Sequence, residues 1–153
     1  MYSKEEARLI RKKFWTAFGQ YMKIQPSSSG ENPNWVNYKT GVKDLYFKTE
    51  ADNKKASISI QMHQKDEGIR NLMYEQFEEF QPLFNSYFEE DWAWFQDYYT
   101  DEGKPIGLII LQLDNVNIFK EQDWPGIIGF FKSNLMKLDA FWNDAKDSFE
   151  IFK

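Results

Sequence analysis

The chain has 153 residues and a net charge of −5, and 18% of it is aromatic (14 Phe, 8 Tyr, 6 Trp). It contains no cysteine, which excludes disulfides, thiol nucleophiles and Cys-based zinc or iron–sulfur sites. No apolar run reaches the roughly 18 residues of a membrane span, and the start MYSKEEARLIRKK lacks a signal-peptide apolar region, so a cytoplasmic location without a membrane partner is expected.

The length suits a single domain over residues 1–153, long enough to bury roughly 70% of its unfolded surface. Aromatic side chains bury roughly 150–250 Å² each, so the core can be large for this length, with rings left over for a ligand pocket or partner surface. Charge is unevenly spread. Residues 1–65 hold 12 Lys/Arg against 6 Asp/Glu, and residues 66–153 hold 7 against 18. Such a split predicts one basic and one acidic face, either as plain solvated surface or as a surface for nucleic acid or an acidic protein.

In chain order, Ser3 and Glu6 form a capping-box pattern for a helix from about Ser3 to Met22, with Leu9, Ile10, Phe14, Ala17, Phe18 and Tyr21 as its apolar stripe. Pro26–Pro33, rich in Ser and Gly, is loop by composition and could be a mobile flap. Three stretches then read as an antiparallel meander spanning Trp35–Gln64. They are a short strand in Asn34–Gly41, a strand in Asp44–Glu50, and the central strand Lys55–Gln64 after a turn at Ala51–Lys54. The central stretch alternates Ala56, Ile58, Ile60 and Met62 with Ser57, Ser59, Gln61 and His63, the period of a half-buried strand.

Asp66 can cap a second helix running to Phe88, along Ile69, Leu72, Met73, Phe77, Phe80, Leu83, Phe84, Tyr87 and Phe88. Pro82 lies inside this pattern and should kink or split it, since it lacks the N–H its turn requires. Glu75, Glu78 and Glu79 fall on its outer side. Trp92–Tyr99 and Ile106–Leu113 read as a second hairpin, the latter apolar enough to be a central strand covered on both faces. Asp123, Trp124 and Pro125 open a last helix carrying Ile128, Phe131, Leu135, Leu138, Trp142, Ala145 and Phe149 at spacings of three and four. Ile58, Ile60, Leu72, Phe77, Ile110, Phe131 and Leu135 are the expected core.

Familiar chemistry is scarce. A Ser-His-Asp arrangement would need His63, the sole histidine, which follows no G-x-S-x-G elbow. Neither G-x-x-x-x-G-K-[ST] nor G-x-G-x-x-G occurs, and one histidine with scattered acids is weak support for a metal, so no cofactor is expected. The order helix, three-strand meander, helix, strand resembles the PD-(D/E)xK nuclease core, which holds Mg²⁺ through an Asp and an acid-x-Lys pair. The corresponding residues would be Asp44 and Gln61-Met-His63, with Glu50 nearby. Gln61 and His63 depart from acid-x-Lys at both defining positions, so the resemblance implies a degenerate or divergent nuclease at most.

The segments FWTAFGQYM (Phe14–Met22), NWVNYKTGVKDLYFKTEADNKKASISI (Asn34–Ile60) and NIFKEQDWPGIIGFFKSNLMKLDAFW (Asn117–Trp142) resemble an uncharacterised bacterial family, domain of unknown function 4268. Its members occur as standalone proteins of about this size and as the C-terminal part of restriction-endonuclease-like proteins. The resemblance implies no activity for any residue, and it raises a role in nucleic-acid transactions by analogy only.

The reading is an α+β fold: a mostly antiparallel sheet of about five strands, two long helices packed on one face, and an N-terminal helix. The expected function is a non-catalytic binding module for nucleic acid or an acidic partner, with the nuclease-like enzyme as the alternative. Trp35, Tyr38, Lys39, Lys43, Lys48, Lys54 and Lys55 are the candidate basic, aromatic-interleaved surface, with Gln61 and His63 beside it.

Overall fold

A computed structural model describes residues 2–153. The N-terminal helix α1 (Lys4–Met22) starts at the expected capping box, with Ser3 Oγ accepting from the Glu6 N–H and the Glu6 carboxylate accepting from the Ser3 N–H. It buries Phe14, Phe18 and Met22, whereas Leu9 and Tyr21 of the predicted stripe are exposed. Strands β1 (Leu45–Ala51) and β2 (Lys55–Met62) form an antiparallel hairpin. Helix α2 (Glu67–Glu79) follows, capped by the Asp66 side chain, and α3 (Gln81–Tyr87) begins where Pro82 interrupts the ladder. A second hairpin, β3 (Ala93–Tyr99) and β4 (Pro105–Asp114), precedes α4 (Trp124–Ala145), which has Pro125 in its first turn.

The sheet has four strands in the order β1-β2-β4-β3, all antiparallel, where about five were expected. The missing strand is the one predicted in Asn34–Gly41. Three side chains pull that segment off the sheet. Asn34 Oδ1 accepts from the Asn37 N–H and bends the chain. The Trp35 indole N–H donates to the Gln25 carbonyl, and the Tyr38 hydroxyl donates to Asp139 on α4, 2.5 Å away. The rings are anchored to the turn after α1 and to α4, and the backbone between them makes no hydrogen bond to β1. The loop Pro26–Pro33 is tied down by the same carboxylate. The Ser27 hydroxyl and the Ser28 N–H both donate to Asp139, which is buried.

One face of the sheet packs on α2 and α4. Phe47, Ile58, Ile60, Ile109 and Leu111 meet Phe77, Phe131, Leu135, Leu138 and Trp142 in a single core. Phe77 lies 4.6 Å from the Phe149 ring and 6.2 Å from Trp142, whose indole N–H donates to the Thr40 carbonyl. Rings supply most of this volume, which accounts for much of the aromatic excess. Gly107 sits opposite Met62, and a Cβ there would come within 2.9 Å of the Met62 sulfur and 3.2 Å of its Cβ, so a larger residue would force the Met62 side chain to shift.

Two core expectations fail. Leu72 is 58% exposed, because α2 turns Arg70, Met73, Tyr74 and Phe77 inward instead. Ile110 is half-buried, on the opposite face of the sheet. Among the described residues, no helix is long and apolar enough to cross a membrane.

Candidate functional site: the open face of the sheet

The second face of the sheet carries no helix. The pleat period of two sets what it presents. Tyr46, Lys48 and Glu50 come from β1, Ser57, Ser59 and Gln61 from β2, and Ile106, Leu108, Ile110 and Gln112 from β4. The hairpin loop Thr100–Lys104 rises at one end and the β1–β2 turn at the other. Between them lies a trough of about 710 Å³. Ile106, Leu108 and Ser59 are buried in its floor.

A register shift between Phe95 and Tyr98 in β3 puts both rings on this face, 5.8 Å apart, opposite Leu108 and Ile106. A regular strand would have put Tyr98 on the helix side. The bulge re-aims it. Directly across the strands, Tyr46, Gln61, Leu108 and Phe95 therefore form one row. Tyr46 and Phe95, at its two ends, are each 42% exposed.

A chain of polar contacts runs beside this row. Lys104 Nζ is 2.9 Å from His63 Nδ1, His63 Nε2 is 2.8 Å from Gln61 Oε1, and Gln61 Nε2 donates to Ser59 Oγ at 3.0 Å. An ammonium only donates, so Nδ1 accepts and Nε2 carries the ring proton, which goes to the Gln61 oxygen. Every member of the chain thus has one assigned direction. Burial, then the neighbouring charges of Lys104 and Lys48, push the His63 pKa down to about 4, with Asp44 opposing them. His63 is neutral near pH 7, and its ring and that of Tyr46 pack in a T-shaped arrangement, 5.1 Å apart. Lys48 Nζ stands 5.4 Å over that same ring, a cation–π arrangement.

The residues expected from sequence separate into three groups. Gln61, His63 and Lys48 come together in the trough. Trp35 is 3% exposed, and its ring is closed off from any ligand. Tyr38 stacks on Phe47 at 5.4 Å, and its hydroxyl pKa is pushed up by burial and by the bond to Asp139. Lys43 is exposed at one end of the β1–β2 hairpin and Lys54 and Lys55 at the other, while Lys39 is exposed in the loop alongside β1. Seven strand residues at about 3.3 Å each separate Lys43 from Lys54 and Lys55 by more than twice the Debye length of about 8 Å, so the lysines at the two ends do not act as one patch. Lys55 reaches the far end of the trough.

The residues missed from sequence are Tyr46, Phe95, Tyr98, Lys104 and Ser59. The alternation of Asp44–Glu50 did carry the signal for Tyr46, which falls in step with Lys48. Phe95, Tyr98 and Lys104 needed the bulge and the strand order. The nuclease-like order does not hold either. A two-stranded hairpin replaces the three-strand meander, and two helices and a further hairpin follow it. Asp44 lies ahead of β1 at φ 62°, and Gln61 comes within 3.5 Å of Glu50. Among the described residues, no group of three or more His, Cys, Asp or Glu side chains could hold a metal ion.

No curated protein and no solved structure matches the chain. Residues 10–146, most of its length, match one family, and the chain belongs to it: Domain of unknown function (DUF4268).

Proposed function

We propose that the protein is a non-catalytic binding module that takes single-stranded nucleic acid across the open face of its sheet. The supporting observation is the row Tyr46, Gln61, Leu108, Phe95, with an exposed ring at each end and Lys48 and Lys104 on either side of it. Single-strand binders combine rings that stack on bases with cations that track the phosphates. An open sheet face presents both at strand spacing, about 4.8 Å per strand, so the two end rings lie roughly 14 Å apart. Gln61 and Ser59 supply amide and hydroxyl groups able to bond base edges between them.

Charge selects the path. Glu50 and Asp52 line one end of the trough and Asp101 and Glu102 the other, so a polyanion running its length would meet carboxylates at both ends. A strand laid across the row meets Lys48 and Lys104 instead. A duplex presents no unstacked bases to Tyr46 or Phe95, so single strands should bind better.

The experiment is fluorescence anisotropy with labelled single- and double-stranded oligonucleotides at about 50 and 200 mM salt, where counterion release is resolved. Single-strand binding that weakens with salt, and that Tyr46→Ala and Phe95→Ala each weaken by about 1–3 kcal/mol, is the expected result. Absence of binding at the lower salt, or equal affinity for duplex, overturns the reading.

A further inference from the structure

The sheet has two edges, and they differ. The β3 edge is interrupted by its bulge, a device that spoils strand addition. The β1 edge is regular over Leu45–Ala51. In the β1–β2 pair, the His63 N–H bonds the Asp44 carbonyl and the Asp52 N–H bonds the Lys55 carbonyl. Hydrogen-bonded pairs alternate in an antiparallel ladder, so even-numbered residues of β1 bond to β2. The N–H and C=O groups of Phe47, Thr49 and Ala51 therefore point outward. Among the described residues they receive no partner from the loop Val36–Lys39, which passes this edge. Grooves of about 530 and 430 Å³ open between that loop and residues Tyr46–Ala51.

We propose that this edge pairs with the same edge of a second copy, in a two-fold antiparallel arrangement centred on Thr49. The charge pattern of β1 selects the occupant and the register. Centring on Thr49 sets Lys48 opposite the second copy's Glu50, and Glu50 opposite its Lys48. Both pairs are non-hydrogen-bonded, the kind whose side chains approach most closely. It also brings Phe47 opposite Ala51 twice, large against small, and lets all three outward-facing residues exchange main-chain bonds. The neighbouring two-fold registers place Lys48 against Lys48 or Glu50 against Glu50, and like charges directly opposite are destabilising. A lysine in mid-edge ordinarily blocks strand addition. In the Thr49-centred register both lysines face a glutamate, and no like charges of β1 stand directly opposite. The product is a continuous eight-stranded sheet, with both open faces on the same side. The inference does not depend on what the trough binds.

Sedimentation equilibrium on the whole chain, at concentrations up to about 1 mM, tests this, since that limit still reveals a weak dimer. The wild type should dimerise. Lys48→Glu and Glu50→Lys should each weaken self-association by at least about tenfold, because two attractive pairs become two repulsive ones. Mixing those two variants should restore a heterodimer, since each then faces opposite charge. Thr49→Pro should give a monomer with an unchanged melting transition, because the Thr49 N–H takes no part in the monomer's own ladder. A monomeric wild type, a dimer indifferent to the charge reversals or to Thr49→Pro, or a mixture that stays monomeric overturns the proposal.

Discussion

The two faces of the sheet are built from the same alternation yet behave in opposite ways. On the helix side, Ile58, Ile60 and Ile109 are fully buried against rings of α2 and α4, and Phe77 and Trp142 are locked by neighbours on several elements. On the other side Ser59, Leu108 and Ile106 are also buried, but they form the floor of an open trough rimmed by the side chains of neighbouring strands and a hairpin loop. Burial on the first face is packing and carries stability. Burial on the second lowers the local dielectric around a polar chain, which is where the one strongly perturbed histidine sits. Depth below the surface alone does not separate a core from a site. What lies above the buried residue does.

The sharpest way to break this contrast is on the packed face. Phe77→Ala should cost about 3–5 kcal/mol in a denaturant titration, a large share of a typical domain's stability of about 5–15 kcal/mol. A loss below about 1 kcal/mol would show that α2 does not face the core in this way.

Asp139→Ala tests a different kind of burial. It leaves the Ser27 hydroxyl, the Ser28 N–H and the Tyr38 hydroxyl without their acceptor. The cost should be about 1–3 kcal/mol, and hydrogen exchange should quicken in residues 26–40 ahead of the sheet.

The open face should respond to pH. His63 titrates at about 4 in the folded chain, against its ordinary 6.5. Between those values the unfolded chain holds the proton and the folded chain does not, so stability falls as pH drops from about 6.5 towards 4. Exposure to solvent makes the effect smaller than the full shift implies. Urea titrations across this range should show the slope, and His63→Gln should remove it. An NMR titration placing His63 near its ordinary value would dissolve the polar chain as drawn.

The smallest change belongs to the exposed rings. Tyr46→Ala should alter stability by only about 0.5–1 kcal/mol, the worth of its aromatic contact with His63, while acting more strongly on the proposed ligand. A larger loss would mean that this ring is structural.

What the sequence by itself determined is local. The alternation through Lys55–Met62 assigned Ser57, Ser59 and Gln61 to one face because the pleat repeats every two residues. Ser3 and Asp66 marked helix starts because their side chains meet backbone donors three residues on. Pro82 marked a break because it has no N–H to give. Tertiary structure alone decided everything that joins distant segments. Asn34–Gly41 has the composition of a strand, but the bonds from Trp35 and Tyr38 to Gln25 and Asp139 outweigh pairing with β1. The contact of Lys104 with His63 spans 41 residues, and the row from Tyr46 to Phe95 exists only because β4 lies between β2 and β3. Strand order and bulges follow from how the whole core closes, a free energy shared among all its side chains, which no window of residues contains.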